Sequence, residues 1–374
     1  MTAIGRKVDY LTMSFERDDI RRMAAYEWGE QPGSEEVLKL NTNENPYPPS
    51  PAVQAALSSF HAERLRRYPP PTADPLRERL AERHQVAPDN IVVTNGGDEA
   101  LRLAITTFVE PGSGFGMLEP SYSLYPVLAN IQGARIVSSP LDESWDLPRD
   151  FAHQVNEAGA NLTCIVNPHA PSGTLLDPDR IGRLASDLSG VLLVDEAYVD
   201  FVDPALRHDL VRLIDGFDNL LLLRTFSKGY SLAGLRLGYL LGAKGLIDPI
   251  IGKTRDSYNV DLITQVLGEA ALSDPGYAED TWQKVRSARR QLRDTLIDLG
   301  FGVVISQANF LLAEVPLEFP RDAEEIYLAL KEEGILIRYF HHPALEDKLR
   351  VTVGTEAQNT RLTNALARII GKIS

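Results

Sequence analysis

The chain holds a single cysteine, Cys164, so no disulfide can form within it, and apolar neighbours on either side place that thiol on a buried strand. No uninterrupted apolar run approaches the roughly 20 residues that a membrane-spanning helix needs. The start, MTAIGRKVDYLTMSFERDD, is too charged and too broken for the apolar centre of a signal peptide, and a reducing cytoplasm is the expected compartment. Basic residues are also in deficit: 38 Lys and Arg stand against 52 Asp and Glu, a net charge of −14. That sign disfavours nucleic acid and anionic membrane surfaces as partners, and an anionic small molecule would have to be met by a few locally placed arginines. There is no Walker-type glycine-lysine loop and no Gly-x-Ser-x-Gly elbow. The glycines between Pro111 and Gly116 lead into a strand instead of opening a helix, which makes them a turn and not a dinucleotide fingerprint. His341 and His342 are adjacent, a spacing from which two imidazoles do not readily share one ion, and no metal is expected.

What the chain does have is alternation. Apolar runs at Ile91–Thr94, Phe115–Leu118, Arg135–Ser138, Leu162–Val166, Val191–Val194, Leu220–Arg224 and Arg236–Leu241 read as seven strands. Helical periodicity lies between most of them, as in Glu99–Val109, Asp177–Leu188 and Ile263–Leu272. The pattern predicts an α/β fold, a mostly parallel seven-stranded sheet flanked by helices. After Asp274-Pro275-Gly276, a long charged helix over Ala278–Leu299 leads into short strands and helices near Ala323–Glu333 and Glu356–Ile369, a smaller α+β unit. The expected division is a large domain over 45–274, and a small one formed by 275–374 with the N-terminal arm 1–44.

Two segments carry chemistry. TFSKGYSLAGLRLGY, from Thr225 to Tyr239, sets Lys228 among small hydroxyl residues with an arginine eight positions on. An amine beside Thr225, Ser227 and Arg236 is what holding pyridoxal phosphate requires: Lys228 to take the aldehyde as an imine, the other three to grip the phosphate. The plainer alternative is a polar loop whose lysine faces solvent. Upstream, VLLVDEAYVDF reads as a buried parallel strand ending at Asp195. Ligands of open α/β sheets bind beyond the carboxyl ends of strands. A carboxylate there can pair with the protonated ring nitrogen, Tyr198 can donate to the ring phenolate, and Ala197 is small enough to let the ring lie flat.

With these motifs, and others from KLNTNENPYPPSP at Lys39–Pro51 to RVTVGT at Arg350–Thr355, nearly the whole chain resembles the fold-type I pyridoxal-phosphate-dependent aminotransferases. Within them it is most similar to the histidinol-phosphate branch. The resemblance implies a phosphate cradle in TNGGDEAL, formed by backbone amides of Gly97, Asp98 and Glu99 at a helix start. It makes Tyr122 of EPSYSLYP the residue stacked on the ring, with Tyr125 left to packing. Tyr68 of RRYPPP would reach a neighbour's cofactor phosphate across a homodimer interface. Arg350 would bind the substrate's anionic group with Arg338 assisting, and Tyr26 would contact substrate phosphate. One position departs from the pattern: where similar enzymes carry an asparagine that bonds the phenolate, CIVNPHAPSG has Ala170, leaving Asn167, or alternatively His169, to take that part.

The activity implied is transamination, with glutamate/2-oxoglutarate and histidinol phosphate/imidazole-acetol phosphate as the substrate pairs of histidine biosynthesis. Three alternatives share the cofactor parts: an aromatic or broad-range aminotransferase, a decarboxylase similar to the threonine-phosphate enzyme, and a cofactor-sensing transcription regulator. The third is disfavoured by the acidic balance and by the forty or so residues ahead of Asn43-Glu44-Asn45-Pro46, fewer than the ~50 of a small domain.

Overall fold

A computed structural model describes residues 15–23, 28–34 and 36–372. Thirteen strands occur among them: β1 (Leu38–Lys39), β2 (Ile91–Thr94), β3 (Gly114–Glu119), β4 (Arg135–Pro140), β5 (Ala160–Val166), β6 (Val191–Asp195), β7 (Leu220–Thr225), β8 (Gly238–Gly242), β9 (Gly302–Val303), β10 (Phe310–Glu314), β11 (Ile335–Leu336), β12 (Arg338–Tyr339) and β13 (Lys348–Thr352). The seven strands read from the sequence form one sheet in the order β2-β8-β7-β6-β5-β3-β4. Neighbours from β7 through β4 run parallel, while β8 is antiparallel to both β7 and β2.

Both faces of this sheet are covered, which is why its central strands read as continuous apolar runs. Leu220 to Leu223 are four consecutive leucines, none more than 1% exposed. Leu221 and Leu223 pack with Leu101, Ile105, Phe115, Tyr125 and Leu193 on one face. Leu220 and Leu222 point the other way, into a cluster with Leu184, Val194 and Phe201 that continues to Leu311, Val351 and Leu366.

The C-terminal part contains a four-stranded antiparallel sheet, ordered β12-β13-β10-β9. Helices Ala323–Glu332 and Glu356–Ile369 each open on a capping box, Asp322 with Glu325 and Thr355 with Gln358. The 24-residue helix Pro275–Asp298 ties the two sheets together. Its Trp282 Nε1 donates to Gly229 O at 2.7 Å, and Arg289 donates to Phe201 O at 3.0 Å and Ala308 O at 2.8 Å. Chain from the N-terminal side joins this region: β1 pairs with β11, and the Thr352 amide donates to Leu40 O. The segment leaving β1, Leu40–Asn45, is thereby held between the C-terminal sheet and the strand ends of the large one. No helix among the described residues is long and apolar enough to cross a membrane.

Candidate active site

The carboxyl ends of β2, β7, β6, β5 and β3 lie along one edge of the large sheet. The start of β8 sits between two of them, Gly238 being the Cα partner of both Thr94 and Thr225. That edge gathers Asp98, Asp195, Thr225, Ser227 and Lys228, because each lies at or shortly after the end of a strand there.

At one end of the site the donors suit a phosphate. Thr225 and Ser227 are buried, Thr225 Oγ1 lying 2.9 Å from Ser227 Oγ. Arg236, in the left-handed backbone region at φ 59°, lies 3.5 Å from Ser227 Oγ and pairs with Asp98 at 3.0 Å. Gly96 sits at φ +76°, which favours glycine, and the Arg236 guanidinium lies against it, Nη2 2.7 Å from where a β-carbon would be. Helix Gly96–Phe108 begins one residue before the expected cradle. The amides left without a helical acceptor are those of Gly96, Gly97 and Asp98, while that of Glu99 enters the helical ladder. Glu99 contributes its carboxylate instead, which accepts the Asn95 amide and, at 2.8 Å, Asn259 Nδ2. Orphan amides, two hydroxyls and an arginine together make an anion cradle.

Toward the middle of the edge, Asp195 ends β6 and is 5% exposed. Its Oδ1 accepts the Ala197 amide at 3.0 Å and its Oδ2 accepts the hydroxyl of Tyr125 at 3.1 Å. Burial pushes its carboxyl up to about 6. Tyr125, read from the sequence as packing, is fully buried and touches this carboxylate. The available signal was chemical, since a tyrosine on a buried helix face needs an acceptor for its hydroxyl. Tyr122 is half-buried, donates to Asp98 at 3.2 Å and packs edge-on against Tyr125. Ala197 is half-buried and Tyr198 buried, the latter edge-on to Phe310 at 5.0 Å.

Lys228 Nζ donates to Thr42 O at 2.8 Å. Burial, and next the positive charge of Arg350, lower its amine to about 8, so much of it is the neutral nucleophile in mildly alkaline solution. Arg350 and Arg338 are Cα partners on β13 and β12. Both guanidinium carbons lie 5.3 Å from the centre of the Phe340 ring, and Arg350 Nη2 donates to Asn41 O at 3.0 Å. Like charges directly opposite in an antiparallel pair repel, and an anion set between them relieves that repulsion.

Two expected residues do other work. The side-chain amide of Asn167 closes on Leu176, donating to its carbonyl at 3.0 Å and accepting its amide at 2.8 Å, so the turn itself accounts for this buried asparagine. His169 is likewise engaged, 2.7 Å from Ser172 Oγ and 3.0 Å from Pro120 O. Tyr68 is 79% exposed, stacked on Tyr258 at 4.4 Å. Tyr26 lies outside the described residues. The sequence reading passed over the segment Asn41–Asn43, whose carbonyls at Asn41 and Thr42 receive Arg350 and Lys228 and whose Asn43 Nδ2 donates to Tyr198 Oη at 3.1 Å.

A cradle for a dianion, a buried acid able to face a ring cation, and an amine with a lowered pKa form a donor set that pyridoxal phosphate fits. Comparison with known proteins agrees. The family model described as aminotransferase class I and II matches residues 35–366. The histidinol-phosphate aminotransferase 1 of Trichormus variabilis is 44% identical over 355 residues, covering 95% of this chain and 98% of its own. The histidinol-phosphate aminotransferase of Microcystis aeruginosa is 41% identical with the same two coverages. Among solved structures, histidinol-phosphate aminotransferase from Sinorhizobium meliloti in complex with pyridoxal-5′-phosphate superposes with a TM-score of 0.87 at 25% identity, over 97% of this chain and 100% of that one.

The two perturbed groups give two expectations. Reductive methylation of Lys228 in cofactor-free protein is expected to be half-maximal near pH 8. Arg350→Gln should move that midpoint up by roughly 0.5–1 pH unit, since a neighbouring cation disfavours the ammonium; an unmoved midpoint contradicts the coupling. For Asp195 the folded value near 6 lies above the ordinary 3.8, so ionisation costs the cofactor-free fold stability as pH rises through that window. Asp195→Asn should therefore stabilise it on the order of 2–3 kcal/mol above about pH 6, the gain fading toward pH 4. Denaturant titrations at both ends of the window measure this, and an equal effect at both pH values would contradict it.

Proposed function

The chain belongs to the aminotransferase class I and II family, and from that membership we propose that it exchanges an amino group between histidinol phosphate and 2-oxoglutarate, giving imidazole-acetol phosphate and glutamate for histidine biosynthesis. Pyridoxal phosphate is the cofactor. It supplies an aldehyde that takes the amino group and a ring that withdraws electrons from the reacting carbon. Thr225, Ser227, Arg236 and the amides of Gly96 and Gly97 would hold its phosphate, and Asp195, oriented by Tyr125, its ring nitrogen. Tyr122 and Ala197 would bound the ring's two faces, with Tyr198 near its phenolic oxygen.

The chain's own part is binding, orientation and proton movement. With its amine free, Lys228 Nζ would be the base that takes a proton from the substrate carbon and returns it. Its lowered pKa suits that task, because an amine near 8 can both release and accept a proton close to neutrality. Asp195 would stay ionised opposite a ring cation, whose charge would offset the burial that otherwise raises its pKa.

The observation that carries the substrate is the register of Arg338 against Arg350. Two planar guanidiniums side by side can grip a dianionic phosphate or, in the other half-reaction, a carboxylate. The reading divides the chain at 45–274 and 275–374 with the N-terminal arm, and places the substrate arginines on the smaller part. It also includes a homodimer: Tyr68 and Tyr258 stack on one another at the surface, an exposed aromatic pair that a second copy would cover. The free, buried thiol of Cys164 fits a cytoplasmic setting.

Single-turnover mixing of holoenzyme with histidinol phosphate, followed by cofactor absorbance, is expected to convert the cofactor to its amino form and release one equivalent of oxo product. Conversion by an aromatic amino acid but not by histidinol phosphate would overturn the substrate assignment, and carbon dioxide release without any oxo acid would overturn the reaction. Arg338→Gln should raise KM for histidinol phosphate about 10- to 100-fold, the range for one charge-assisted hydrogen bond. An unchanged KM removes Arg338 from the substrate site.

A further inference from the structure

The segment leaving β1 contains a polar residue that nothing above has given a part. Asn43 is 2% exposed and sits at φ 56°, a left-handed backbone conformation that asparagine tolerates better than most residues. Every polar group it offers is held. Its amide donates to Thr352 Oγ1 at 3.0 Å, and its carbonyl accepts Asn309 Nδ2 at 2.9 Å. Thr352 Oγ1, having accepted that amide, gives its own proton to Asn43 Oδ1 at 3.2 Å. The side chain is thereby oriented with Nδ2 toward Tyr198 Oη, 3.1 Å away. The residue before it, Thr42, carries the carbonyl that receives Lys228. A buried polar residue held in an uncommon conformation from four directions marks a position the surrounding structure over-determines.

We propose that Asn43 is a positioning residue of the transamination, acting through Tyr198: it donates into the phenol oxygen, orients the hydroxyl and makes its proton a stronger donor to the anionic ring oxygen of the cofactor. The proposal rests on the cofactor reading above. A hydrogen bond donated into a phenol's oxygen stabilises the charge that builds there as the phenol's own proton is shared, so the two bonds reinforce one another. The need for such a donor is local. Ala170 offers no side-chain donor at the neighbouring turn, and Asn167 and His169 are occupied by Leu176, Ser172 and Pro120. Because Thr42 and Asn43 are consecutive, one rigid dipeptide sets Lys228 and Tyr198 relative to each other.

The test is a double-mutant cycle on holoenzyme, read as the pH midpoint of the cofactor's visible absorbance. Asn43→Gly keeps the backbone freedom that φ 56° needs and deletes the amide. Tyr198→Phe deletes the hydroxyl. Each should raise the midpoint by about one pH unit, the shift produced by losing one hydrogen bond of ordinary strength to the charged form. The double variant should shift no further than Tyr198→Phe alone, with kcat reduced about tenfold in Asn43→Gly and KM for histidinol phosphate within about threefold of wild type. Should the glycine variant fail to fold, Asn43→Asp retains the shape and left-handed tolerance while replacing the donor with an anionic acceptor, and is expected to shift the midpoint upward further when Tyr198 is present than in the Tyr198→Phe background, where the added charge acts alone. A midpoint that stays at the wild-type value in Asn43→Gly, or a shift that adds in full to that of Tyr198→Phe, overturns the proposal while leaving the reaction intact. Wild-type protein that takes up no pyridoxal phosphate overturns the cofactor reading and this proposal together.

Discussion

Two groups of opposite charge, the Lys228 amine and the Asp195 carboxylate, are withdrawn from water along one sheet edge, each with other partners. Lys228 donates to the Thr42 carbonyl, and Asp195 accepts from Tyr125 and from the Ala197 amide. Burial therefore drives both toward neutrality, the amine down to about 8 and the acid up to about 6. A protein gains nothing in stability from this arrangement, because groups held against their ordinary ionisation weaken the fold near neutral pH. It becomes useful when a ligand arrives that bonds covalently to the neutral amine and presents a cation to the acid. In the proposed function, the strand ends, the glycine at 96 and the arginine at 236 would hold that ligand in one orientation.

Placement of the amine depends on a segment far from it in sequence. Asn41, Thr42 and Asn43 run between the C-terminal sheet and the edge of the large one, and touch Arg350, Lys228 and Tyr198 in turn. The pairing of β1 with β11 fixes where that segment starts, and Thr352 with Asn309 fixes where it ends. The residues proposed to bind substrate and cofactor thus share a common strut. A change in the position of the small sheet reaches the lysine through the Thr42 carbonyl and Tyr198 through the Asn43 side-chain amide.

Much of this was legible in the chain itself. The seven strands were readable because a sheet covered on both faces demands unbroken apolar runs such as Leu220–Leu223; Asp195 was readable because it ends such a run, and Lys228 because it follows one within a few residues among Thr225, Ser227 and Arg236. Helix limits fell within a few residues, and the one at the candidate cradle begins at Gly96, whose positive φ the local sequence does not announce. The contacts of Tyr125, Asn43 and Asn167 were not legible for a related reason. A buried polar side chain announces that it needs a partner but not which one, and the partners of Tyr125 and Asn43 lie 70 and 155 residues away. Asn167 shows the converse: its amide closes a turn nine residues long, a local use that family likeness at the neighbouring position obscured.

The most direct check is chemical. Holoenzyme reduced with borohydride and digested is predicted to yield one modified peptide, carrying a pyridoxyl group on Lys228. Labelling at another amine such as Lys39, or no label in protein saturated with the cofactor, would contradict the account.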